Sequence, residues 1–148
     1  NLEGAVKGKK IEFNDLEEIC QRLFGAYNNV QIIIFSAPNN FKRVGEIIRK
    51  MKLKYVLSSF KTNTILDIAA LVEKMDLIIT PDTSISHIAS AYNKPVVTIH
   101  ENNLDSYKLF APTSDQNRTV FSKSRHSLNG YSLDELIIHC LELIKLKN

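Results

Sequence analysis

The chain has no tryptophan, only two cysteines, and few of the residues that punctuate loops, with five glycines and four prolines in 148 residues. Cys20 and Cys140 lack any C-x-x-C spacing, which removes the zinc and dithiol motifs and leaves too few thiols for a disulfide scaffold. Each falls in a helical apolar pattern and reads as a buried, reduced thiol. The scarcity of glycine and proline excludes collagen-like and low-complexity classes. No apolar run approaches the roughly 20 residues that a membrane-spanning helix needs, and no signal peptide is visible. Internal repeats, a GxGxxG turn, a Walker A loop, a DxD-like acidic pair and a metal-ligand cluster are all missing. No Ser-His-Asp order can be defended.

What remains is the composition of a globular protein, 44% hydrophobic and 24% charged, long enough for one domain with a proper core. The net charge of +3 is mild. It suits an anionic ligand or an acidic membrane surface without requiring either. One basic group, Lys42, Arg43, Arg49, Lys50, Lys52 and Lys54, reads as a solvated helix face. It has no aromatic interleaving and no nucleic-acid motif, so no nucleic-acid partner is expected. The chain starts at Asn1, without Met, in what reads as the end of a strand, which points to a fragment of a longer protein.

Apolar runs alternate with helical patterns, the signature of an α/β fold built on an open parallel sheet. After Asn1-Leu2 comes a lysine- and glycine-bearing loop to Phe13. Asn14 reads as the cap of a helix to Tyr27. Val30 to Phe35 reads as a buried strand, followed by the turn Ala37-Pro38-Asn39-Asn40 and a basic helix to Met51. A short strand spans Lys54 to Leu57. Thr64 can cap a helix to Met75 that turns Ile65, Ile68, Ala69 and Val72 inward. Leu77 to Thr80, a helix over Ser84 to Tyr92 and a strand over Val96 to Ile99 follow. Glu101 to Asn117 reads as a long polar connection, and Thr119 to Phe121 as a last short strand. Asn129-Gly130 makes a turn. Ser132 and Glu135 form a capping box that opens a helix to Leu146.

Pro81-Asp82-Thr83-Ser84-Ile85-Ser86-His87 is the segment with most chemistry in it. It lies where a strand gives way to a helix, the edge of a parallel sheet where ligands bind. Unpaired N–H groups and the positive dipole end of that helix can hold an anion, and the hydroxyls of Thr83, Ser84 and Ser86 can add hydrogen bonds. Asp82 either caps the helix or accepts sugar hydroxyls. His87 either faces the ligand or holds the neighbouring loop. A second candidate is Gly4-Ala5-Val6-Lys7-Gly8-Lys9-Lys10, whose glycines let backbone approach a ligand while its lysines supply charge. His100-Glu101 is a third, leaving its strand at the same sheet edge as Asp82, toward either a ligand or solvent.

The block Leu77 to Ile99, with Asp82, Thr83, His87, Ile88, Ala89, Ala91 and Pro95 at the matching spacing, resembles the signature of glycosyltransferase family 9, the lipopolysaccharide heptosyltransferases. The likeness extends more weakly over nearly the whole chain. It implies a GT-B enzyme, two Rossmann-like halves across a cleft, of which residues 1–148 are the C-terminal, donor-binding half. Gly4 to Lys10 would then be the phosphate loop, with Gly4, Lys7 and Lys9 on the donor. Asp82, Thr83, Ser84 and His87 would complete the donor site, and Asn40, His100 and Glu101 would flank it. The implied substrate is a nucleotide sugar, ADP-heptose by family default, with no other cofactor and no metal. The implied acceptor is a lipid-linked glycan. Acceptor and catalytic base would belong to an N-terminal half outside this chain, so the fragment alone is expected to be inactive. The resemblance places the reaction in the cytoplasm, at the inner face of a bacterial inner membrane. Three departures stand out: Ser84 replaces the usual glycine, Asn40 replaces an acidic residue, and His100-Glu101-Asn102-Asn103 replaces a Phe-Gly-Pro-Thr-like segment. Ser84 and Asn40 favour an alternative, a non-catalytic nucleotide- or glycan-binding module on the same half-fold.

Overall fold

The structure, a computed structural model, describes Leu2 and residues 9–146. Among the described residues, five strands and six α-helices alternate. The order is α1 (Phe13–Ala26), β1 (Ile32–Ile34), α2 (Phe41–Met51), β2 (Val56–Ser58), α3 (Ile65–Lys74), β3 (Ile78–Pro81), α4 (Ser84–Ala91), β4 (Val96–His100), α5 (Leu104–Phe110), β5 (Asn117–Phe121) and α6 (Leu133–Lys145). All described pairings are parallel, as helical crossovers require.

The parallel strands with helices on both faces expected from the sequence are present, and among the described residues they pair as two groups, β1-β2 and β3-β4-β5. Strand residues alternate between two cores, one on each face. Ile34, Val97, Ile99 and Val120 join α1, α2 and α6 on one face. Phe35, Ile78 and Val96 join α3 and α4 on the other. Both sheets feed both cores, so they lie edge to edge, β1 toward β3. Between those edges runs a cavity of about 640 Å³.

Local chemistry explains the helix starts. Thr64 Oγ1 accepts from the Asp67 N–H while the Asp67 carboxylate accepts from Thr64, a closed capping box. The backbone N–H groups of Asn63 and Thr64, both donating to Asp67 Oδ2, hold the Asp67 carboxyl below its ordinary value. Ser132 Oγ accepts from the Glu135 N–H to open α6. The start of α1 differs from the reading, because Glu12 rather than Asn14 occupies the cap and makes no side-chain cap bond. In α3, Ile65 is exposed rather than inward, since it stands in the first turn beyond the reach of the core. The polar connection after β4 contains α5, whose cap is Asn103 accepting from the Ser106 N–H. Lys52 ends α2 in the left-handed region at φ 54°. Both cysteines are buried free thiols, and burial pushes each up to about 12.

Candidate functional site

The carboxyl ends of β3 and β4 and the N-terminus of α4 meet in one polar node. β3 delivers Asp82, whose N–H donates to Ile99 O of β4 and keeps the two strand ends level. Thr83, in extended conformation, caps α4, its Oγ1 accepting from the Ile85 N–H and sharing a hydrogen bond with Thr80 Oγ1. Capping therefore falls to Thr83, and the Asp82 carboxylate is directed elsewhere. Its Oδ2 receives Lys9 Nζ at 3.1 Å across 73 residues of chain.

Lys9 is shared. Glu101, one residue past β4, places Oε1 3.7 Å from the same ammonium. Exposure of the three side chains is 14% for Lys9, 11% for Asp82 and 15% for Glu101, so the triad is largely shielded from water. Beneath it lies His100, 2% exposed, with Nδ1 4.0 Å from Asp82 Oδ2 and Nε2 buried without a hydrogen-bond partner among the described residues. Burial is the main cause that holds the His100 imidazole below its ordinary value. Its ring is boxed by Tyr107 of α5 and Phe121 of β5, the Tyr107 ring edge-on at 5.0 Å.

The hydroxyls expected to face an anion divide. Ser84 is exposed on the first turn of α4. Ser86 is buried, and its Oγ donates to Thr83 O at 2.7 Å, so it braces the helix start instead. Ser84 is not among the residues with positive φ, so the glycine expected there is not needed for backbone conformation; only side-chain bulk differs. His87 is exposed, its ring 6.4 Å from that of Phe110. Asn40 occupies the N-cap position of α2 after β1 without a side-chain cap hydrogen bond. Gly4 and Lys7 lie outside the described residues. Among the described residues, no group of three His, Cys, Asp or Glu is placed to hold a metal ion. Sequence reasoning missed Tyr107, which walls His100 and hydrogen-bonds Thr119 Oγ1 at 3.1 Å. The one available signal was Asn103 three residues before Ser106, a cap pattern inside an otherwise polar run.

The node can offer an anion one ammonium, an exposed hydroxyl and a helix dipole, and can offer hydroxyl groups two carboxylates. The 640 Å³ cavity is separate from it, being lined by α1, β1 and β3.

The model of glycosyltransferase family 9 (heptosyltransferase) matches residues 15–132, a segment that begins after Lys9 and includes Asp82, Thr83, Ser84, His87, His100 and Glu101. No curated relative matches the chain. Among solved structures, a family 9 glycosyltransferase from Veillonella parvula DSM 2008 superposes with a TM-score of 0.79 at 16% identity, covering 100% of this chain and 45% of that one. An E. coli ADP-heptose lipopolysaccharide heptosyltransferase II superposes with a TM-score of 0.77 at 16% identity, over 95% of this chain and 43% of that one. E. coli heptosyltransferase WaaC with ADP gives 0.77 at 16%, over 96% and 42%. The chain thus spans less than half the length of these structures.

Proposed function

The chain belongs to glycosyltransferase family 9, and from that premise we propose that it is the nucleotide-sugar-binding half of an inverting glycosyltransferase. The substrate would be an ADP-sugar and the acceptor the core of a lipopolysaccharide or a related surface glycan, at the cytoplasmic face of the membrane. The observation that carries the reading is Lys9 Nζ held 3.1 Å from Asp82 at the start of α4. A diphosphate arriving there would draw the ammonium away from the carboxylates and take the helix dipole as its second cationic partner. That leaves Asp82 and Glu101 free to accept hydroxyls of the sugar. In the transfer, the acceptor oxygen bonds to the anomeric carbon as the bond from that carbon to the diphosphate oxygen breaks. The acceptor's proton goes to a base outside this chain. Lys9 and the α4 amides would stabilise the negative charge that grows on the departing diphosphate, the role otherwise given to a metal.

Calorimetric titration of the folded chain with ADP, UDP, GDP and CMP and their sugars tests this. Binding of at least one nucleotide, weakened by Lys9→Met, is expected. No heat with any of them would overturn the reading. The second reading, a non-catalytic module, is favoured by the two carboxylates that already neutralise Lys9 and by the bulk of Ser84. It predicts nucleotide binding but no sugar transfer when the chain is joined to its acceptor-binding half.

A further inference from the structure

Two groups address the same carboxylate oxygen. Lys9 Nζ lies 3.1 Å from Asp82 Oδ2, and His100 Nδ1 lies 4.0 Å from it. The backbone fixes this arrangement. Asp82 N–H donates to the carbonyl of Ile99, the residue before His100, and the His100 carbonyl accepts from Ser122 N–H just past β5. The imidazole is buried against Tyr107 and Phe121, with ring centroids 5.0 and 6.3 Å away. It is held in place and cannot turn out to solvent when the charges above it change. Those charges come from several elements. Burial chiefly keeps the imidazole neutral. Asp82 at the end of β3 and Glu101 beyond β4 act in favour of the imidazolium, while Lys9 and His87 of α4 act against it. From α5, Tyr107 turns its hydroxyl to Thr119 Oγ1, and β5 contributes the uncharged Phe121.

We infer that His100 is a positioning residue that takes over from Lys9: when a diphosphate draws the ammonium from Asp82, the imidazole takes one proton from solvent and becomes the cation that holds the Asp82 carboxylate in place. The inference rests on the nucleotide-sugar reading for its trigger, though the exchange of cations can be provoked without a ligand. Its sign does not depend on how far Lys9 moves. An ammonium that leaves takes away a charge that repels the imidazolium, and one that stays is neutralised by the phosphates. Either way the field at the ring becomes more negative. Among the described residues, the cationic groups within salt-bridge distance of Asp82 are Lys9 and His100, and Glu101 has Lys9. Without the proton, donor binding would leave two shielded carboxylates beside a neutral ring, which is costly. Donor binding therefore consumes a proton. Affinity rises as pH falls between the bound and free values of His100, by at most about tenfold per pH unit.

The test has two arms. The first uses no ligand. Magnetic resonance follows the ring protons of His100, assigned with His100→Phe, through a pH titration of the unsubstituted chain, Lys9→Met and Lys9→Arg. The His100 midpoint is expected to be about one pH unit or more higher in Lys9→Met, to stay in place in Lys9→Arg, and to fall back when Asp82→Asn is added to Lys9→Met. The second arm needs no Lys9 variant, so it survives misfolding of one. Calorimetry with ADP-glucose, whose diphosphate diester does not titrate near neutrality, is run in buffers of different ionisation enthalpy. Proton uptake on binding is expected, with affinity rising about three- to tenfold from pH 8 to pH 6. His100→Phe should lose both effects and His87→Gln should keep them. The inference is overturned if the His100 midpoint is the same in Lys9→Met as in the unsubstituted chain. It is also overturned if the uptake survives His100→Phe and disappears in His87→Gln. Absence of any ADP-glucose binding would count against the nucleotide reading, and the first arm would still decide the role of His100.

Discussion

Replacing Lys9 by Met removes the only ammonium that bridges Asp82 and Glu101 within salt-bridge distance among the described residues. Two unit charges 3.1 Å apart attract by about 5 kcal/mol at an effective dielectric near 20, and the 3.7 Å pair adds about 4 kcal/mol. Desolvation of three charged groups takes back most of that. The balance depends on exposure. Fully exposed pairs contribute about 0–1 kcal/mol, and breaking a buried pair costs about 3–5 kcal/mol. With the three side chains at 11–15% exposure, the loss should fall near the buried end, about 2–4 kcal/mol, because two shielded carboxylates are left facing each other. Urea unfolding followed by far-UV circular dichroism measures it. A double-mutant cycle with Asp82→Asn isolates the pair and should give a coupling of about 1–3 kcal/mol. A cost below about 0.5 kcal/mol with no coupling would show that the triad is not formed in solution.

Lys52→Gly should stabilise the chain by about 0.5–1 kcal/mol, since φ 54° at the end of α2 strains a side-chain-bearing residue; an unchanged urea midpoint would contradict that backbone geometry. Cys20 and Cys140, buried and shifted up to about 12, should resist an aromatic disulfide reagent at pH 8 until urea unfolds the protein. Stability should fall as pH drops from about 6.5, because the unfolded chain takes up a proton that buried His100 resists. A His100→Phe variant should lose that slope. The Asp67 contribution is present above about pH 3.8 and is lost as pH falls through its lower folded value. An Asp67→Asn variant should be less pH-sensitive in that acid range.

Local signals were legible and long-range ones were not. The alternation of Leu77 to Ile99 between apolar run and capped helix marked β3, α4 and β4, and the Thr64 cap marked α3, because hydrophobic period and cap chemistry operate within a few residues. The carboxylate of Asp82 could not be assigned from sequence between capping and another partner. Thr83 took the cap because its extended backbone brings Oγ1 to the Ile85 N–H, and Asp82's partner lies 73 residues away. Ser86 looked like a donor toward the site, yet at its position on α4 it is buried and its hydroxyl is satisfied by Thr83 O. α5 was hidden because a seven-residue helix with exposed Leu104, Leu109 and Phe110 shows no buried stripe. The pairing of the strands as β1-β2 and β3-β4-β5 left no sequence mark, since strand order is a tertiary property.

The central claim is that the start of α4 and Lys9 form a nucleotide-diphosphate site. An amide-resolved magnetic resonance titration with ADP tests it most directly. The account predicts saturable shifts at the backbone amides of Thr83, Ser84 and Ile85 and at Lys9, all abolished together in Lys9→Met while the rest of the spectrum stays native. Shifts confined to other residues, or equal shifts with and without the Lys9 ammonium, would contradict it.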